Sequence, residues 1–117
     1  IVHPLAYIGD ENIIGEGMIA YPRACVTTNV HIGNFVALLS SSVGHDAVIG
    51  DYSTISAYSD ITGGCSLGER VFIGTHVSVI PGRTIGSDAY LCAGSVIMSD
   101  VKPGVKMLGN PARAVNF

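Results

Sequence analysis

The run Val43-Gly44-His45-Asp46-Ala47-Val48-Ile49-Gly50 sets an imidazole beside a carboxylate within an otherwise apolar stretch. A free imidazole titrates at about pH 6.5, so His45 is suited to take a proton from an amine or hydroxyl near neutrality, with Asp46 fixing the tautomer and stabilising the cation formed. On a regular strand adjacent side chains diverge, so Asp46 reaches the ring only where the backbone bends. Further along, Gly63-Gly64 leaves bare backbone whose N–H groups could hold an oxyanion. Gly109-Asn110-Pro111-Ala112-Arg113 reads as a turn backed by a cation, and Lys102 and Lys106 add positive charge to the same stretch. His31 and His76 read as corner residues, and with His3 they form no close pair such as HxxxH, so no metal is expected.

These residues sit in a chain of 117 residues, 48% hydrophobic and 13% charged, with fifteen Gly and no Trp. That length allows one domain, and a core rich in Ile and Val favours β structure. The net charge of −3 argues against a nucleic-acid surface, and no apolar run reaches the roughly 18 residues of a membrane span. Cys25, Cys65 and Cys92 lie far apart and form no CxxC, which fits a reducing cytoplasm. The chain opens at Ile1 with neither Met nor a basic leader, so a missing upstream domain is kept in view and the sequence leaves open whether one was removed.

The elements follow from a period of six. Positions 43, 49, 55, 61, 67, 73, 79, 85, 91 and 97 are all Ile, Leu or Val. Four residues after each aliphatic comes a small or β-branched residue (Ala47, Ser53, Ser59, Cys65, Val71, Val77, Ala89, Ser95), with Arg83 the exception. The two positions share one strand face and point inward. The three residues between strands make a corner, where Gly44, Gly50, Gly68, Gly74 and Gly86 are expected to supply special torsions. Three such units close a triangular coil of 18 residues, which stacks Gly63 over His45. The N-terminal third keeps the period in a second frame (Ile8, Ile14, Ala20, Val26, Ile32, Leu38), and the step from Leu38 to Val43 is one residue short. That irregularity, just before His45-Asp46, marks the first place to look for chemistry. The expected fold is all-β: a parallel β-helix of about five coils and roughly 25 Å height over residues 1–101, with 102–117 as a C-terminal turn and tail.

The whole chain resembles the hexapeptide-repeat acyltransferases. It is most similar to the sialic acid O-acetyltransferase and UDP-amino-sugar N-acetyltransferase group, through His3-Pro4-x-Ala6-x-Ile8, His45-Asp46-x-x-Ile49-Gly50, Val71-Phe72-Ile73-Gly74 and Gly109-Asn110-Pro111-Ala112-Arg113. The resemblance implies a left-handed helix and a cytoplasmic homotrimer with acetyl-CoA lying between neighbouring prisms. It also implies His45 as general base oriented by Asp46, a Gly63 N–H on the thioester carbonyl, Thr75 and Ala93 lining the pantetheine groove, and Lys102, Lys106 and Arg113 facing the CoA phosphates. Transfer would be direct, with no covalent enzyme intermediate, to an amine or hydroxyl of a nucleotide-linked sugar. The segment Leu38-Leu39-Ser40-Ser41-Ser42 departs from the pattern, since relatives that grip an amino sugar carry an Asn near Leu38. Three alternatives stay open on the same fold: another acceptor such as serine, a galactoside or an antibiotic; a non-catalytic assembly module; and a metal hydratase.

Overall fold

The computed structural model describes residues 1–116. Sixteen strands of two residues each, numbered in chain order, wind into a left-handed parallel β-helix with three faces. The first face stacks β1 (Tyr7–Ile8), β4 (Cys25–Val26), β7 (Ser42–Val43), β10 (Asp60–Ile61), β13 (Ser78–Val79) and β16 (Val96–Ile97). The second stacks β2 (Ile13–Ile14), β5 (His31–Ile32), β8 (Val48–Ile49), β11 (Ser66–Leu67) and β14 (Thr84–Ile85). The third stacks β3 (Ile19–Ala20), β6 (Ala37–Leu38), β9 (Thr54–Ile55), β12 (Phe72–Ile73) and β15 (Tyr90–Leu91), and continues into β17 (Lys106–Gly109) and β18 (Ala112–Val115).

Every aliphatic of the six-residue frame is buried, from Val43 to Ile97. The small residues four positions later are buried as well, and their polarity has a use. Ser59 Oγ donates to Gly74 O at 2.7 Å and accepts from Val77 N–H at 3.2 Å, so one hydroxyl satisfies two backbone groups of the coil above. Ser53 repeats the arrangement with Gly68 O and Val71 N–H. Small inward residues thus leave room for the aliphatic column while closing hydrogen bonds that a dry core would otherwise leave open.

Three expectations change in detail. Gly44, Gly50, Gly68, Gly74 and Gly86 do not supply left-handed torsions; a Cβ on Gly44 would lie 2.6 Å from Gly63 N, so the need there is close approach of stacked coils. The left-handed residue is the third of each corner, and it is often not glycine: Asp46, Tyr52, Tyr58, Arg70, His76 and Asp88 all have φ between 54° and 64°. The coil count is about six rather than five, because the segment past Asp100 keeps pairing: Val101 bridges to Ile85, and Met107 stands over Leu91. β18 then folds back antiparallel on β17, which helps extend the long axis to 38 Å. His31, expected on a corner, lies in β5 on the outer surface of the second face.

Candidate active site

The short step has a defined location. Stacked strands are offset by 18 residues, as in Asp60↔Ser78, but Cys25 pairs with Ser42, an offset of 17. Ser40 keeps its 18-residue relation to Pro22 below, and Cys25 N–H bonds to Ser41 O as Ser42 N–H bonds to Ser59 O. The missing position therefore falls between Ser40 and Ser41, on the edge joining the third face to the first, and it is the left-handed position that Arg23 fills one coil below and Tyr58 one coil above.

The next edge of the same coil, joining the first face to the second, carries His45 and Asp46. Asp46 has φ +63°, and that left-handed turn swings its carboxylate back toward the preceding side chain. His45 Nδ1 lies 2.8 Å from Asp46 Oδ2. Asn29, one coil below, donates through Nδ2 to Asp46 Oδ1 at 2.6 Å. These two hydrogen bonds, that of His45 first, hold the Asp46 carboxyl below the ordinary value of 3.8. An ionised carboxylate only accepts, so in the neutral imidazole His45 Nδ1 carries the proton and Nε2 the lone pair. The His45 side chain is 68% exposed, and its Nε2 faces the coil above.

What it faces there is Gly63. A Cβ on that residue would stand 2.5 Å from His45 Nε2, so the absence of a side chain is what gives the ring its place. Gly64 N–H is spent on His45 O at 2.9 Å, whereas the Gly63 N–H donates to nothing among the described residues. A basic nitrogen and a free backbone donor thus lie side by side on an open edge, a pairing suited to acyl transfer.

The other expected residues are elsewhere. Thr75 and Ala93 are exposed on the edge that joins the third face to the first, a full face width from His45 in the same chain. Lys102 and Arg113 line one cleft of about 280 Å³ with Asp100, Val105 and Met107, at the C-terminal end of the prism. Lys106 begins β17 on the third face, above Tyr90, and does not line that cleft. Arg83, the exception to the small inward pattern, is half-buried with Nε 3.9 Å from Asp100 Oδ1. Leu38 is fully buried and cannot touch a ligand as Asn might. Among the described residues no three His, Cys, Asp or Glu side chains converge, and no helix is long and apolar enough to cross a membrane. Asn29 escaped the sequence reading; the 17-residue offset across the short step was the signal that would have placed it under Asp46.

No family model matches the chain. GDP-perosamine N-acetyltransferase of Escherichia coli O157:H7 is 35% identical over 119 residues, spanning 97% of this chain and 54% of that protein. The structure of PerB from Caulobacter crescentus in complex with CoA and GDP-perosamine superposes with a TM-score of 0.96 at 32% identity, over 98% of this chain and 56% of that one. The chain shares the hexapeptide-repeat β-helix of these acetyltransferases along almost its whole length. WeeI from Acinetobacter baumannii AYE is also similar, with a TM-score of 0.95 and 34% identity over 97% of this chain and 57% of that one. The chain spans little more than half the length of these relatives.

Proposed function

We propose that this chain is the catalytic β-helix of an acetyl-CoA-dependent sugar N-acetyltransferase acting on a nucleotide-linked amino sugar. The observation that carries the reading is the Asn29–Asp46–His45 relay, which fixes the basic Nε2 against the bare Gly63 backbone. His45 Nε2 accepts the proton lost by the acceptor amine as its nitrogen attacks the thioester carbonyl. The Gly63 N–H donates to the oxyanion, and the protonated imidazole then returns its proton to the departing thiolate. No residue is acylated: Cys65 is buried among the aliphatics, and Cys92 lies just past β15 on another edge.

Acetyl-CoA is the donor in this reading, with Lys102, Lys106 and Arg113 of segment 102–117 meeting its phosphates and Thr75 and Ala93 its pantetheine arm. Those last two share no edge with His45, so the reading requires a neighbouring copy, and a homotrimer supplies one. The relatives named for perosamine support nitrogen as the acylated atom. The test is release of free CoA from acetyl-CoA with GDP-perosamine as acceptor, compared between the wild-type chain and His45→Ala. Turnover falling by about 10²- to 10⁴-fold in the variant is expected for loss of a general base, with folding unchanged because the ring is exposed. Equal rates in the two proteins would remove His45 from the mechanism.

A further inference from the structure

Arg83 breaks the inward pattern that the rest of the ladder keeps. The eight other positions of its kind from Ala47 to Ser95 hold Ala, Ser, Cys or Val, all buried. Arg83 instead is half-buried, with its Nε enclosed and hydrogen-bonded to nothing among the described residues. Its one ionic neighbour there is Asp100, whose Oδ1 stands 3.9 Å from Nε and already accepts the Thr84 N–H at 3.0 Å. The carboxylate therefore orients the guanidinium without saturating it, and a buried donor left open in an otherwise regular repeat calls for an explanation outside the fold. Of the six bases in the chain, Arg83 alone adjoins the edge that carries His45. Arg23 belongs to the edge joining the third face to the first, Arg70 is paired with Asp88 on the remaining edge, and Lys102, Lys106 and Arg113 lie in the C-terminal segment.

The edge between His45 and Arg83 is bare. Gly64 and Gly82 stand one and two coils above Asp46, both left-handed, with φ +75° and +74°. The torsion does not demand glycine, since Glu11, Asn29 and Asp46 adopt it lower on the same edge. Nor does packing: a Cβ on Gly64 would meet only the Gly82 backbone at 3.8 Å, and one on Gly82 would meet nothing within 4 Å. What the two glycines keep clear is the outer surface between the Gly63 N–H and Arg83. We propose that Arg83 binds the diphosphate of the acyl donor, with the pantetheine arm passing over Gly64 and Gly82. The inference rests on the transferase reading. The guanidinium lies beside Asp100, which follows two coils above Gly64, so the diphosphate is held about 10 Å further up the prism than the thioester carbonyl. In the trimer, rotation about an axis parallel to the prism keeps heights equal, which brings Arg83 level with the Thr75–Ala93 groove of the neighbouring copy. The arm bows across the cleft between the two chains, and Lys102, Lys106 and Arg113 serve the 3′-phosphate. A planar guanidinium with its terminal nitrogens open suits a diphosphate, whose oxygens accept in pairs.

Donors cut at successive points test this directly. Arg83→Val gives the slot the residue that Val71 and Val77 use, and Arg83→Gln keeps most of the length without the charge. In calorimetric titrations both variants should bind CoA about tenfold or more weakly than wild type, and dephospho-CoA, which lacks the 3′-phosphate, should show the same ratio. Arg83→Lys should recover only part of the loss, because an ammonium lacks the paired donors. S-acetylpantetheine ends before the diphosphate, so wild type and variants should turn it over with the same kcat/KM. Gly82→Tyr, a side chain the left-handed corner accepts at Tyr52 and Tyr58, should raise the KM for acetyl-CoA and for S-acetylpantetheine alike by about tenfold, since it stands in the path of the arm. Wild-type CoA affinity in both Arg83→Val and Arg83→Gln, a loss as large with S-acetylpantetheine as with acetyl-CoA, or an unchanged donor KM in Gly82→Tyr overturns the proposal. A wild-type chain that binds no CoA at all overturns the transferase reading itself, and this inference with it.

Discussion

On the proposed mechanism, single atoms at Gly63 and Asp46 decide whether the imidazole is usable. Gly63 does not need its glycine for backbone freedom, since its φ is not in the left-handed range, so alanine should be accepted by the backbone and refused by the His45 ring. Gly63→Ala is expected to leave the melting transition within about 0.5 kcal/mol of wild type while the ring swings off its position and turnover drops by about tenfold or more. A calorimetric scan beside the CoA-release assay separates the two effects, and a variant that keeps full turnover would show that the ring position is immaterial. Asp46 gives a different signature. Its carboxyl is held below 3.8 chiefly by His45 and then by Asn29, so the stability it contributes is complete above pH 3.8 and disappears as the pH falls through the lower folded value. Urea midpoints of wild type and Asp46→Asn should therefore differ most above pH 3.8 and converge on the acid side of it. Both groups are largely solvent-exposed, which keeps the difference small and makes the convergence the quantity to measure.

At the level of strands and corners, stability is shared between the aliphatic column and the small residues that hold one coil to the next. Ser59→Ala removes the hydroxyl that serves Gly74 O and Val77 N–H, leaving two buried backbone groups open at a cost of about 1–3 kcal/mol. Ser59→Cys should recover part of that loss, since Cys65, at the equivalent position of the next six-residue unit, already donates its Sγ–H to Ile80 O at 3.3 Å. Chemical denaturation of the pair checks both statements, and equal losses would mean that the hydrogen bonds are not the source. The strands themselves were legible in the sequence because each aliphatic occupies the same inward slot, and the ten from Val43 to Ile97 are all buried. The corners were harder to read. Close approach and left-handed torsion fall on different corner residues, and only the first demands glycine, so Asp46 and Tyr58 gave no sign of their torsion. The turn that brings Asp46 onto His45 was illegible for that reason. The last coil escaped because the corner after Ile97 is shortened: the next inward aliphatic, Val101, arrives after four residues, and the frame that identified the earlier coils no longer applies.

For the molecule as a whole, the distribution of expected site residues over its edges makes a statement about assembly. His45 and Gly63 share one edge, and Thr75 and Ala93 share another, with the first face between them. The whole first face lies between the two edges of one chain, so on the proposed reading the thioester carbonyl meets Gly63 of one chain while the pantetheine arm lies in the groove of its neighbour. On the proposed reading a single prism holds two half-sites, and activity is a property of the assembled ring. Sedimentation should give a species of about three times the 12.1 kDa chain, and specific activity should fall as dilution drives the ring apart. The fall should follow the loss of the assembled species, because each dissociated chain loses both of its sites' missing halves at once. A monomeric fraction that keeps the full specific activity would place the base and the donor groove within one chain, and with it the reason for a neighbouring copy would disappear.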